Sequence, residues 1–156
     1  MYKVVELYFR TQLLELPRYL LVRDVPVQNI VNIIIAFSDG SAQFSTSAVY
    51  LLSMDSNSKK FCINLVSTLC KLAEKSKSKG EDIQLNTVPK KESHGLFLAT
   101  NGAMILAQLL TKLKIPLNKV YVFSDAISHI IALRKTPSLY QAPFNRYYSQ
   151  INTLLF

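Results

Sequence analysis

Apolar and polar positions follow two different rhythms along this chain. Asn29 to Phe37 is a run rich in Val and Ile, interrupted by Asn32 and bounded by Ser38-Asp39-Gly40-Ser41, which predicts a buried strand ending in a turn. Ala42 to Leu52 alternates loosely through Phe44, Val49, Tyr50 and Leu51, and Lys60 to Leu69 follows the polar turn Asp55-Ser56-Asn57-Ser58. Three consecutive strands are expected, as an antiparallel meander. The rhythm then changes. From Lys91 to Leu113 the residues Leu96, Ala99, Ala103, Leu106, Leu110 and Leu113 recur at three- and four-residue intervals, which predicts a long helix with one buried stripe. Gly95 and Gly102 lie two turns apart on nearly one face of it, where their small size allows close approach to a sheet.

Beyond Pro116, Lys119 to Phe123 reads as another buried strand, ending at Ser124-Asp125. Ala126 to Arg134 has helical spacing closed by Thr136-Pro137, and Phe144 to Leu155 is a further helix candidate. At the other end, residues 1 to 15 predict a short helix that stops at Leu16-Pro17. The order is three strands, helix, strand, helix in one α/β domain, residues 29 to 156, preceded by a connecting segment over 1 to 28. Lys71 to Asp82 is rich in charge, Ser and Gly and is expected as a solvated loop.

Composition narrows the function classes. With 156 residues, 49% of them hydrophobic, the chain can bury one substantial core. A net charge of +8 favours polyanionic partners. No apolar run reaches the roughly 18 residues of a membrane span, and Glu6 falls where a signal peptide needs its apolar stretch, so a soluble, non-secreted protein is expected. Cys62 and Cys70 have no Cys/His cluster near them; reduced intracellular thiols are the simpler reading than zinc or a disulfide.

The candidate chemistry lies in the acids. The chain has ten, and Asp39 and Asp125 each sit where a hydrophobic strand gives out beside a serine. Singly, each reads as a turn former or helix cap, and Glu92 as a favourable acid in a first helical turn. Together they form the order strand-Asp, helix-Glu, strand-Asp. Converging carboxylates repel one another unless a cation is shared, and hard divalent ions take anionic oxygen ligands. Such ions hydrolyse phosphodiesters by activating water and stabilising the leaving oxygen.

These residues also resemble a known family. Ala36-Phe37-Ser38-Asp39-Gly40-Ser41 is similar to the first catalytic strand of retroelement ribonuclease H domains. Val122-Phe123-Ser124-Asp125-Ala126-Ile127-Ser128 is similar to their fourth strand, and Glu92 stands where their helix glutamate does. Leu14-Glu15-Leu16-Pro17-Arg18, Leu65-Val66-Ser67 and Pro143-Phe144-Asn145-Arg146 resemble flanking segments in Pao/BEL-type LTR retrotransposon polyproteins. The resemblance implies a ribonuclease H-like fold, a five-stranded mixed sheet with three antiparallel strands followed by parallel ones, flanked by helices. It implies hydrolysis of the RNA strand of an RNA/DNA hybrid during reverse transcription, with Asp39, Glu92 and Asp125 as catalytic ligands of two Mg²⁺ or Mn²⁺ ions. It also implies an adjoining reverse transcriptase domain as partner. The setting would be intracellular: cytoplasm, retroelement particle or nucleus.

The family usually adds a fourth acid from a late loop and helix, whereas this chain has no Asp or Glu after Asp125. Either the chain stops short of that element or the domain has lost it; a non-catalytic scaffold or nucleic-acid clamp is the competing reading. The segment Lys71 to Pro89 looks like an insertion. Ser41, Lys90, Lys91, His129 and Arg146 are the candidate nucleic-acid contacts, with Lys71, Lys75, Lys77 and Lys79 either tracking a backbone or solvating a loop. His94 is on a different helix face from Glu92 and is read as a surface or substrate-facing residue. His129, one turn past Asp125, can reach a phosphate or simply pack. Tyr140, Tyr147 and Tyr148 are candidates for stacking on a sugar or base, or for the core.

Overall fold

The computed structural model describes residues 21–41, 43–72, 88–134 and 145–155. A turn of 3₁₀ helix at Val27–Asn29 leads into β1 (Ile30–Gly40), β2 (Phe44–Asp55) and β3 (Phe61–Leu72). There follow α1 (Val88–Lys112), β4 (Lys119–Ser124), α2 (Ile127–Leu133) and α3 (Asn145–Leu155). The sheet order is β3-β2-β1-β4, with β1 antiparallel to β2, β2 antiparallel to β3 and β4 parallel to β1. This is the expected mixed α/β architecture, with four strands among the described residues rather than five. The helix expected over residues 1–15 and the loop over 73–87 lie outside them. Lys71 and Leu72, expected in that loop, instead complete β3, paired with Ser45 and Phe44.

Period-two alternation sorts the strands onto two faces. On one face Ile34, Ala36, Val49 and Leu51 meet Ala99, Ala103, Leu106 and Leu110, the buried stripe of α1. Full burial of an Ile or Leu such as Ile34, Leu51 or Leu110 contributes about 1.5–3 kcal/mol. Asn32, which interrupts the apolar run of β1, is also fully buried there. Its Nδ2 donates to the Pro116 carbonyl at 2.8 Å, and its backbone N–H donates to Asn118 Oδ1 at 2.8 Å. The polar break in the strand thus ties down the chain entering β4.

The opposite face is apolar as well. Phe37 stacks on Phe123 with centroids 5.3 Å apart, and Tyr50 meets Phe37 edge-on at 6.0 Å. Phe61, Ile63 and Leu65 of β3 pair with Met54, Leu52 and Tyr50 and are themselves exposed. A bulge then falls at the Val49/Tyr50 step, where Ser67 and Leu65 are the consecutive partners and Val66 is the extra residue. The β2–β3 turn is fixed by Asp55, whose carboxylate accepts from the Asn57 and Ser58 backbone N–H groups and the Ser58 hydroxyl. No helix among the described residues is long and apolar enough to cross a membrane.

Candidate functional site

β1 and β4 run in parallel as far as the pair Ser38 and Ser124, and each strand's next residue is an aspartate. Ser38 Oγ donates to the Phe123 carbonyl at 3.2 Å, stitching the strands just before both carboxylates. Asp39 and Gly40 prove to be part of β1, opposite Thr46 and Ser45, rather than a turn beyond it. The strand is prolonged because the turn is made farther on: the Ser41 N–H donates to the Phe44 carbonyl at 2.9 Å, and Ser41 Oγ accepts from the Gln43 and Phe44 N–H groups. Asp39 and Asp125 are both exposed. One Asp39 oxygen accepts from the Gly40 N–H at 2.7 Å.

Two glycines bring α1 onto this strand end. A Cβ on Gly40 would fall 2.7 Å from Glu92 Cα and 2.6 Å from the Lys91 carbonyl carbon, and a Cβ on Gly95 would fall 2.6 Å from the Asp39 carbonyl oxygen. Real Cβ contacts of that length do not occur, so glycine at both positions is what allows the backbones of Asp39-Gly40 and Glu92–Gly95 to touch. Gly102 repeats the device two turns on, more loosely, with its hypothetical Cβ 3.0 Å from Val49 Cγ2. Because α1 begins at Val88, Glu92 lies in its second turn, and no acid occupies the first. The simple role of a first-turn acid is therefore not the one Glu92 plays.

Three elements thus bring their acids to one end of the sheet, but the side chains stop short of a cluster. Among the described residues no group of three or more His, Cys, Asp or Glu is gathered closely enough to hold a metal ion. Glu92 instead places Oε2 3.3 Å from His129 Nε2, and His129 Nδ1 contacts the Tyr148 hydroxyl. By donor chemistry and by backbone placement, Asp39, Glu92 and Asp125 fit a hard divalent cation; the orientation of their side chains does not yet bring them together.

The expected nucleic-acid contacts fall differently. Lys90 and Lys91 are half-buried at the start of α1, while Ser41 is taken up by its turn. Of Arg146, only the helical backbone in α3 is described. His129 is 3% exposed and faces Glu92 and Tyr148, so the expectation that it touches nucleic acid is corrected: one turn past Asp125, its ring is turned into the protein. His94, expected at the surface, is half-buried, packed with Phe97 and Tyr147 at 6.4 and 5.3 Å. Burial, together with the nearby charges of Lys71 and Lys91, lowers its pKa. Tyr148 was one of three tyrosine candidates in the sequence, and nothing in its spacing marked it as the partner of a histidine 19 residues earlier.

The chain matches the family model described as Pao retrotransposon-like RNaseH-like domain over residues 2–126. It belongs to that family. The match takes in β1 to β4, α1 and all three candidate acids, and ends at Ala126, before α2 and α3. Comparisons with curated proteins and with solved structures returned no match. Within the Pao family, the sheet order and the long helix packed on one face of the sheet are those of a ribonuclease H-like domain.

Proposed function

We propose that this domain is a metal-dependent endonuclease that hydrolyses the RNA strand of RNA/DNA hybrids during reverse transcription of a retroelement, working beside a reverse transcriptase domain. The observation that carries the reading is the placement of Asp39 and Asp125 one residue beyond a paired serine on adjacent parallel strands, with Glu92 brought over Gly40 by α1. Asp39, Glu92 and Asp125 would hold two Mg²⁺ or Mn²⁺ ions. When bound, such ions supply an activated water and offset charge developing on the phosphodiester.

The chain's own residues do the rest. The exposed aspartates are open to solvent and to a phosphate backbone, and rotation about their two side-chain torsions changes where their oxygens point. Glu92 is more restrained, because its backbone is fixed against Gly40 and one oxygen faces His129. Lys71, Lys90 and Lys91, at the end of β3 and the start of α1, supply positive charge suited to a duplex backbone without sequence preference.

The test is hydrolysis of a labelled hybrid by the full chain in Mg²⁺, with Asp39→Asn as the control. Cleavage is expected from the unaltered chain and none above background from the variant; equal cleavage by both sinks the proposal. A second reading, a non-catalytic ribonuclease H-like scaffold or nucleic-acid clamp, is favoured by the ungathered carboxylates and by the absence of any acid after Asp125. Hybrid binding without cleavage by the unaltered chain would select it.

A further inference from the structure

A line of three polar side chains joins α1, α2 and α3: Glu92, His129 and Tyr148. Both outer members of the line have their backbones fixed. Glu92 sits where α1 touches the end of β1, and Tyr148, 5% exposed, lies one turn before the fully buried Ile151 on the face that α3 buries. His129, 3% exposed, spans the space between them with one ring nitrogen toward each. An imidazole buried between two polar groups has a defined tautomer set by those groups. Burial pushes the Tyr148 hydroxyl up to about 12, so at neutral pH it keeps its proton and donates to Nδ1. The ring proton of a neutral imidazole is then on Nε2, pointing at Glu92 Oε2 at 3.3 Å. Only that one oxygen is engaged by the ring, and the Glu92 side chain remains 25% exposed, which leaves the carboxylate open on its other side.

We infer that His129 and Tyr148 are positioning residues for Glu92: they hold one carboxylate oxygen so that the other is presented at the sheet end beside Asp39 and Asp125. Glutamate has three side-chain torsions, and a carboxylate that must share a cation is less effective if it samples them freely. Partners that orient a ligating carboxylate from behind typically matter by roughly 10- to 100-fold in metal affinity or activity when removed. Both positioning residues come from beyond Ala126, outside the stretch matched by the family model. The inference rests on the proposed metal site, since the oxygen it presents is presented to a cation.

Two measurements on the full chain test it. The first needs no metal. Nitrogen-detected NMR of the imidazoles is expected to show His129 as the Nε2-protonated tautomer, with the Nε2 signal shifted in Glu92→Gln and the Nδ1 signal shifted in Tyr148→Phe. An Nδ1-protonated ring, or one indifferent to Glu92→Gln, overturns the positioning chain. The second is Mn²⁺ titration by calorimetry on the unaltered chain, Tyr148→Phe, His129→Gln and Glu92→Gln, with thermal melts alongside. Tyr148→Phe and His129→Gln are expected to weaken Mn²⁺ about 10-fold or more. Unchanged or tighter Mn²⁺ binding in both, with Glu92→Gln impaired, overturns the inference while leaving the site standing. No Mn²⁺ binding by the unaltered chain overturns the site and the inference with it. Variants that lower the melting temperature yet bind Mn²⁺ like the parent show a purely structural tie and also overturn it.

Discussion

Ser38 and Ser124 are register partners across the parallel pair β1/β4, so Asp39 and Asp125 leave the sheet from neighbouring positions on the same edge. Two carboxylates so placed have little structural work of their own: both are exposed, and neither contributes to the core.

If they serve one site, their substitutions cannot be additive. Asp39→Asn and Asp125→Asn are each expected to remove Mg²⁺-dependent hybrid cleavage, and the double variant to be no worse than either single one. Thermal melts should place all three within about 0.5 kcal/mol of the parent, as for exposed residues away from core contacts. Independent, multiplying losses in cleavage rate would show that the two carboxylates act separately.

The two helix glycines separate a backbone contact from a side-chain one. Gly95→Ala drives a methyl against the Asp39 carbonyl, so despite a helix-propensity gain of up to about 1 kcal/mol it is expected to destabilise by about 1–3 kcal/mol. Gly102→Ala meets only the Val49 methyl at 3.0 Å and is expected to be milder by at least about 1 kcal/mol. Urea melts of the two variants side by side check the order, and Gly102→Ala proving the worse would contradict the close approach at Asp39.

Asp55 gives the stability a pH dependence of known sign. The hydrogen bonds from Ser58 and from the Asn57 backbone hold its pKa below the ordinary carboxylate value in the folded chain. A depressed folded value means stability that is present above the unfolded pKa of about 3.9 and is lost as pH falls through the lower, folded value. Thermal melts stepped from pH 5 to pH 2 should therefore fall less steeply in Asp55→Asn than in the parent. Parallel acid limbs would remove Asp55 from the account.

Lys71 and Lys91 lie near enough to His94 that both lower its pKa, so their charges converge on the start of α1. Replacing each with Ala is expected to weaken hybrid binding alike across unrelated sequences, and to reduce the slope of log affinity against log salt by about 0.9 per phosphate contact removed. Fluorescence anisotropy over a salt series measures both. An unchanged slope would place the duplex elsewhere.

Much of this fold is legible in the sequence because each strand carries its own pattern and the α1 stripe from Ala99 to Leu110 is regular. The family resemblance is legible through short motifs around Asp39 and Asp125, and the glycine spacing anticipates the close approach of α1 to the sheet. Strand ends are less legible. Asp39-Gly40 looks like a turn locally, but pairing with Thr46 and Ser45 across β2 extends the strand through it, and Lys71-Leu72 is drawn into β3 by the same kind of long-range pairing. The surroundings of Glu92 are not legible at all. They depend on His129 and Tyr148 from two later helices, and packing between helices leaves no periodic trace of which polar residues will face each other.

The apolar far face of the sheet, with Phe61, Ile63 and Leu65 exposed along β3, bears on how this protein behaves at high concentration. From Phe61 to Leu72 the only charged side chain is Lys71, so the strand lacks the flanking charges that keep an open edge from annealing to another copy of itself. Expressed alone, the domain would carry an adhesive seam, and neighbours that shield it would set its solubility as much as its own sequence does.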